Sequence, residues 1–323
     1  MDPAPRRRLL SGLLAAAPLL VPAAVLRAQT AATEPRLRIG YQKFGTFTLV
    51  KARGTLERRL AALGLQATWT EFPAGPQLLE GLNVGSIDLG TVGEAPPIFA
   101  QAAGAPIAYV GYEPPAPEGE VILVPHGSPI ARVAELRGKR IALNRGSNVH
   151  YFLVRALQEA GVSIREVQTA FLPPADARAA FERGGVDAWV IWDPFAAVAE
   201  NAIGARRLRD GTGLVQNHQF YIASRSALAA NPRGIAAMVE ELRDLPAWLA
   251  ASTDQAVEIL AGETRMDAPS LRLTLQRARF GVRRIDDAVI AEQQRMADTF
   301  FELGIVPRRI AVAEAAPAAA RVF

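Results

Sequence analysis

Apolar and polar positions along the chain change period in a regular order. "LRIGY" reads as a short strand, and "TLVKARGTLERRLAALG" repeats its apolar positions every three to four residues, as a helix with one buried face does, ending at Gly64. "QATWTEF" is a second strand, "GPQLLEGLNVG" a helix closed by Gly85, "SIDLGTV" a third strand, and "APPIFAQAAG" a further helix. This repeated strand-then-helix order predicts a largely parallel sheet with helices on both faces.

The pattern then restarts. "AELRGKRIALNRGS" holds a strand between turn glycines, "VHYFLVRALQEAG" and "ADARAAFERGG" are helices, and "VDAWVIWDPF" is a strand that stops at Pro194. Between the blocks lies "YEPPAPEGEVILVPHGSP", an extended "EVILV" among prolines and glycines, and a second extended piece, "QFYIASRS", precedes a helical tail from Ala227 to Gly304. The expected plan is an α/β chain of two lobes, each a mainly parallel sheet flanked by helices, joined by two extended crossovers. Residues 36–123 with 225–310 form the first lobe in this reading and 124–224 the second, with 311–323 a poorly ordered tail. No internal repeat is legible in the residues.

Composition narrows the classes. The chain has 323 residues, half of them hydrophobic and 21% charged, an ordinary globular make-up with length for two lobes. Cysteine is absent, which excludes disulfides, thiolate metal sites and a cysteine nucleophile. Residues 1–28 read as a cleavable export signal: Arg6, Arg7 and Arg8, then an apolar run from Leu9 to Leu26, then the small Ala28. The paired arginines also suit a twin-arginine signal, and either route ends outside the cytoplasm. The whole chain carries +4, but Arg6, Arg7, Arg8 and Arg27 against Asp2 place +3 of it in the signal. The mature chain is therefore nearly neutral. Its arginines are interspersed with acids, as in "LERRLAALG", which argues against nucleic acid as a partner.

Three strand-to-helix turns are candidates for a ligand site: "FPAGPQ" at 72–77, "GTVGEAPP" at 90–97 and "NRGSNVH" at 144–150. In an open α/β sheet the ligand lies beyond the carboxyl ends of the strands, where helix N-termini point their N–H groups. Gly75 and Gly93 allow close backbone approach, Pro76 presets a helix start, and Ser147 or Asn148 offers a polar group. Such a site favours an oxyanion, although glycine, proline and serine are also what these turns require on conformational grounds alone. No turn has the spacing of a P-loop or of a dinucleotide fingerprint, so no nucleotide cofactor is expected.

Catalytic and metal signals are weak. His126 and His218 read as ordinary surface residues, His150 lies in the third turn, and no metal-spaced cluster is present. Trp189 and Trp192, three apart on one strand, project to opposite faces: one fills the core while the other becomes an apolar wall of the cleft, with Asp193 and Pro194 ending the strand.

The phrases "LRIGYQK", "EFPAGPQLLEGLNVGSIDLG", "PPIFAQAAG", "YVGYEPPAPEGEVILV", "LPPADARAAFERGGVDAWVIWDPF" and "LRDGTGL" closely resemble the periplasmic aliphatic sulfonate-binding proteins of ABC importers, from about Leu37 to Arg309. The resemblance implies a type 2 periplasmic-binding-protein fold. It also implies capture of an alkanesulfonate for delivery to a membrane permease as a sulfur source, by a monomer with no cofactor, no metal and no catalytic residue. It further implies a pocket of Gln42, Gly75, Pro76, Gln77, Gly93, Glu94, Ser147, Asn148, His150, Trp192 and Asp193. The chain departs from the family pattern where it reads "GTVGEAPP", so contact through Glu94 is expected from its backbone N–H, because a carboxylate aimed at a permanent anion would repel it. Phe44 or Phe47 would add to the tail wall. Alternatives are binders of taurine, nitrate or thiamine precursors on the same fold, with Asp193 the carboxylate taurine would ask for. An enzyme of the desulfinase kind needs a cysteine this chain lacks, and the export signal disfavours a sensing domain of a regulator.

Overall fold

The structure is a computed structural model describing residues 35–318. The export signal read over 1–28, and residues 319–323, lie outside the described residues. Ten strands are present among the described residues: β1 (Arg36–Gln42), β2 (Gln66–Phe72), β3 (Leu89–Gly93), β4 (Ile107–Tyr112), β5 (Glu120–Val124), β6 (Arg140–Leu143), β7 (Gln168–Phe171), β8 (Ala188–Trp192), β9 (Arg206–Asp210) and β10 (Gln219–Ser224). They form two five-stranded sheets, ordered β2-β1-β3-β10-β4 and β7-β6-β8-β5-β9.

The two orders are one topology used twice, although the residues show no repeat. In the first sheet β1 pairs in parallel with β2 and β3, while β10 runs antiparallel between β3 and β4. In the second, β6 pairs in parallel with β7 and β8, while β5 runs antiparallel between β8 and β9. Four of five strands in each sheet therefore share a direction, and the exception is the strand that has just crossed from the other sheet. "EVILV" and "QFYIAS" are thus sheet members: β5 belongs to the second sheet and β10 to the first, and the chain crosses between Tyr112 and Glu120 and again between Asp210 and Gln219.

Four elements have no clear mark in the sequence. β4 is buried along its whole length, so its apolar run lacks the alternation that marks a half-exposed strand. β9, "RRLRD", reads as surface because it is a charged edge strand, its Arg207 and Arg209 paired with Glu200, Asp210 and Glu159. The short β7 and the helix after β8 are the other two.

Helices fill the faces. The first predicted helix is two, α1 (Thr46–Arg53) and α2 (Thr55–Ala61), because Gly54 takes a left-handed φ of 61° that ends one and starts the other. Then come α3 (Gly75–Asn83), α4 (Ala95–Ala102), α5 (Asn148–Glu159), α6 (Pro174–Glu182) and α7 (Phe195–Ile203). The helical tail is α8 (Arg225–Ala230), α9 (Pro232–Ala251), α10 (Thr253–Thr264), α11 (Ala268–Arg277) and α12 (Asp287–Glu302).

The alternation of β8 places Trp189 in the core with Phe181, ring centroids 5.9 Å apart, and turns Trp192 toward the cleft. Removing the Trp189 ring would cost about 3–5 kcal/mol. The segment after 310 departs from the poorly ordered tail read from its composition. Residues Val312–Ala315 form a turn of 3₁₀ helix, Val312 and Ala315 are buried, and the Val312 N–H donates to Gln294 Oε1 at 2.9 Å. Its apolar residues are few, but they fit between α4 and α12.

Candidate functional site

A cavity of about 400 Å³ lies at the carboxyl ends of β1, β3 and β8, between the two sheets. Six helices begin at it. Thr46 of α1, Gly75 of α3, Pro96 of α4, Asn148 of α5, Pro174 of α6 and Phe195 of α7 all line it, each the first or second residue of its helix. The first N–H groups of a helix have no acceptor within the helix and carry its positive end, so their convergence makes a cradle for an anion. The backbone approach is close. A β-carbon on Gly75 would lie 2.9 Å from the ring of Pro96, so the starts of α3 and α4 can sit together only with glycine there.

Side-chain amides and hydroxyls complete the polar lining. Gln42, at the end of β1, donates from Nε2 to the Thr91 carbonyl at 3.2 Å. Asn148 donates to Asn217 Oδ1 at 2.8 Å, and Asn217 in turn donates to the Ala116 carbonyl at 2.8 Å, so an amide pair ties both crossings to α5. The Ser147 hydroxyl donates to the Asn144 carbonyl at 2.7 Å, which leaves its lone pairs and the neighbouring N–H groups for other partners.

The two buried carboxyl groups on the cavity wall are both engaged. Glu113 accepts hydrogen bonds from Thr46 Oγ1 and, at 2.5 Å, from the Tyr221 hydroxyl, and burial pushes it up to about 7. Asp193 accepts from the Ala197 N–H at 3.0 Å and faces Arg277 Nη1 at 3.4 Å. Burial pushes it up to about 6 while Arg277 pulls it down. Arg277 compensates the charge that would otherwise repel an anion. Much of the remaining wall is apolar, with Phe44, Phe72, Trp192, Phe195 and Phe280 beside Pro73, Pro173 and Pro174, while Lys43, Glu71, Gln219, Thr274 and Arg279 also line it. The Trp192 and Phe195 rings meet edge to face, centroids 6.4 Å apart.

Of the residues singled out from sequence, Gln42, Gly75, Gly93, Ser147, Asn148, Trp192 and Asp193 line this cavity, as does Phe44. Pro76, Gln77, Glu94 and His150 do not. Pro76 and Gln77 lie one and two residues past the first residue of α3, and each helical step turns a side chain by about 100°, away from the exposed end. Glu94 points the other way. Its Oε1 accepts the His218 N–H at 3.0 Å, burial pushes it up to about 7, and it borders a separate cavity of about 190 Å³ with Tyr151, Arg155 and Glu292. His150, two residues into α5, packs its ring between Phe171 and Phe300, centroids 5.4 and 5.6 Å away. Its Nδ1 accepts from the Gly146 N–H at 3.4 Å, and burial, then Arg145, lowers it to about 4, so it is neutral at neutral pH.

Two other expectations are corrected. His218 is buried, not on the surface, with Nδ1 2.8 Å from the Glu113 carbonyl. Phe47 is in the core, stacked on Tyr221 at 5.5 Å. Sequence reasoning missed Thr46, Glu113, Asn217 and, above all, Thr274 and Arg277 of α11. Nothing local marks Arg277, which is one of many arginines on the helical tail and reaches the cleft only because α11 folds back onto α7. Among the described residues no cluster of three or more His, Asp or Glu side chains could hold a metal, and no helix is long and apolar enough to cross a membrane.

The NMT1-like family profile matches residues 30–261. An aliphatic sulfonates-binding protein of Escherichia coli strain K12 is 45% identical over 276 residues, 85% of this chain and 86% of that one. The alkanesulfonate-binding protein SsuA of Xanthomonas axonopodis pv. citri, solved with MOPS bound, is 42% identical and superposes with a TM-score of 0.84 over 88% of this chain and 99% of that one. The periplasmic aliphatic sulphonate-binding protein SsuA of Escherichia coli is 43% identical, with a TM-score of 0.79 over 87% and 97%. The desulfurization enzyme DSZB shares the fold at 16% identity and a TM-score of 0.63. With its two sheets, their crossover strands and the cleft between them, the chain belongs to the NMT1-like family, in the group that holds the aliphatic sulfonate-binding proteins.

Proposed function

We propose that the chain is an extracytoplasmic solute-binding protein that captures alkanesulfonates for import by an ABC transporter, as a source of sulfur. The observation that carries this reading is the pairing, in one cavity, of six helix starts with apolar aromatic walls. A sulfonate is a permanent anion, so it needs donors in fixed geometry rather than a titrating partner, and its organic tail gains about 0.8 kcal/mol per buried CH₂. In this reading Gln42, Gly75, Gly93, Ser147 and Asn148 hold the headgroup, with Thr46 and Asn217 beside them. Trp192 walls the tail, and Asp193 is kept compensated by Arg277. The protein acts as a binder and not an enzyme, in keeping with its 45% identical relative.

The lobes would close about the two crossings, and the lobe division is drawn there, at 113–119 and 211–218, a few residues before the boundaries the sequence suggests. The mature protein is a periplasmic monomer whose partner is the permease of its importer. Taurine is the second reading to test, because its ammonium would want a free carboxylate. Asp193 is already held by Arg277 and by the start of α7, which disfavours it. A thermal-shift panel decides between them: hexanesulfonate and MOPS should raise the melting temperature, while taurine, sulfate, nitrate and a thiamine precursor should do so far less. A shift confined to nitrate or to the thiamine precursor would sink the sulfonate assignment.

A further inference from the structure

We propose that α11 is a clasp across the cleft, and that Glu200, which does not line the cavity, is a positioning residue that governs how long a ligand is retained. One face of α11 is anchored on the side of the first sheet. Leu271 is fully buried in a cluster with Leu49 of α1, Leu245 of α9 and Leu260 of α10. The other face is bonded to α7, which follows β8 of the second sheet. Ser270, also fully buried, accepts from Asn201 Nδ2 at 3.0 Å and lies 3.4 Å from the Ala197 carbonyl.

At the end of the same helix Arg277 makes a forked pair with Glu200, at 3.0 and 2.8 Å, and reaches Asp193 at 3.4 Å. Glu200 is itself fixed from behind by Arg207 of β9, at 2.9 Å. Both pairs are mostly shielded from water, where forked, charge-assisted bonds are strongest. A motion that parts the two sheets must either tear α11 from α7 or pull Leu271 out of its cluster. Either costs free energy that a ligand-free hinge without this helix would not face. Because Arg277 also lines the cavity beside Asp193, the clasp holds a piece of the binding wall in place.

The effect on retention rests on the sulfonate reading of the cleft, whereas the effect on closure does not. The test compares wild type with Glu200→Gln, which keeps shape and removes charge, with Glu200→Asp as the conservative control and Asn201→Ala as an independent break. Hexanesulfonate release, followed by stopped-flow tryptophan fluorescence, should be about tenfold faster in Glu200→Gln with association nearly unchanged, because loss of a retaining contact acts on the off-rate. Glu200→Asp should fall between Glu200→Gln and wild type. Small-angle scattering of the ligand-free variants Glu200→Gln and Asn201→Ala should show a more extended particle than wild type. Wild-type release and scattering in both variants would overturn the clasp, as would equal slowing of association and release. If hexanesulfonate fails to bind wild type, the sulfonate reading fails, and the ligand-free scattering still decides the clasp.

Discussion

The side-chain amide of Asn148 rests against Gly93 so closely that a β-carbon at Gly93 would lie 1.7 Å from Asn148 Oδ1. Gly93 ends β3 in the first sheet, and Asn148 begins α5 behind β6 of the second. The glycine is required by the approach of the opposite lobe. Through Asn217 the same amide is joined to both crossings, so the contact lies where the proposed closure would bring the two halves together.

Gly93→Ala should therefore block full closure while leaving each sheet intact. Forcing a methyl into a filled contact costs about 1–3 kcal/mol, so hexanesulfonate affinity should fall by roughly one to two orders of magnitude in calorimetry. Ligand-induced compaction in scattering should also be lost. An alanine variant that binds and compacts like wild type would show that the cleft does not close on this contact.

Tail recognition is assigned to the wall at Trp192. Affinity should tighten by up to about 0.8 kcal/mol per added methylene across a series of alkanesulfonates until the wall is covered, and Trp192→Ala should flatten that slope. A calorimetric chain-length series checks it. A variant that weakens every sulfonate by one common factor, slope unchanged, removes Trp192 from the tail site.

Buried groups set the pH dependence of stability, and they pull in opposite directions. Glu94 and Glu113 titrate at about 7 in the folded chain, and Asp193 at about 6, all above their unfolded values. The folded state holds the extra protons in that window, so stability falls as pH rises through it. His150, at about 4 when folded, has the reverse effect, because the unfolded chain takes up a proton below about 6.5 while the folded one does not. Burial also raises Glu120, and it lowers His218 as it does His150, so four carboxyl groups outweigh two imidazoles and the melting temperature should be higher near about pH 5.5 than near about pH 8. Glu94→Gln should narrow the gap. A melting temperature that climbs steadily over that range contradicts the assignment.

Export is the fourth prediction. The mature protein should begin near Gln29, and the intact mass of protein from a periplasmic extract should match a chain starting there. Recovery of the full-length chain in the membrane fraction would refute cleavage.

What was legible in the residues is what local periodicity controls. The strands from β1 to β3, the helices between them, and the restart at β6 follow from apolar spacing and from glycines at element ends, because burial of one face acts over a few residues. The three glycine-bounded turns were legible for the same reason, and all three reach the cavity. Simple alternation along β8 put Trp189 and Trp192 on opposite faces, and packing of Trp189 against Phe181 left Trp192 for the cleft.

Tertiary structure alone decided the rest. Which sheet receives β5 and β10 depends on pairing between strands far apart in sequence, as with Val121 against Ile191 and Tyr221 against Thr91, and no local pattern encodes a partner so distant. Glu94 and His150 lie within the right turns, yet one faces a second cavity and the other a layer of phenylalanines. A single step around a helix start changes a side chain's direction by about 100°, and only the packing of the opposite lobe says which direction is the cleft. Arg277 reaches the site from the far end of the chain because α11 has one apolar face for α10 and one polar face for α7. That choice is made by side-chain packing in three dimensions and leaves no signature in the spacing of the residues.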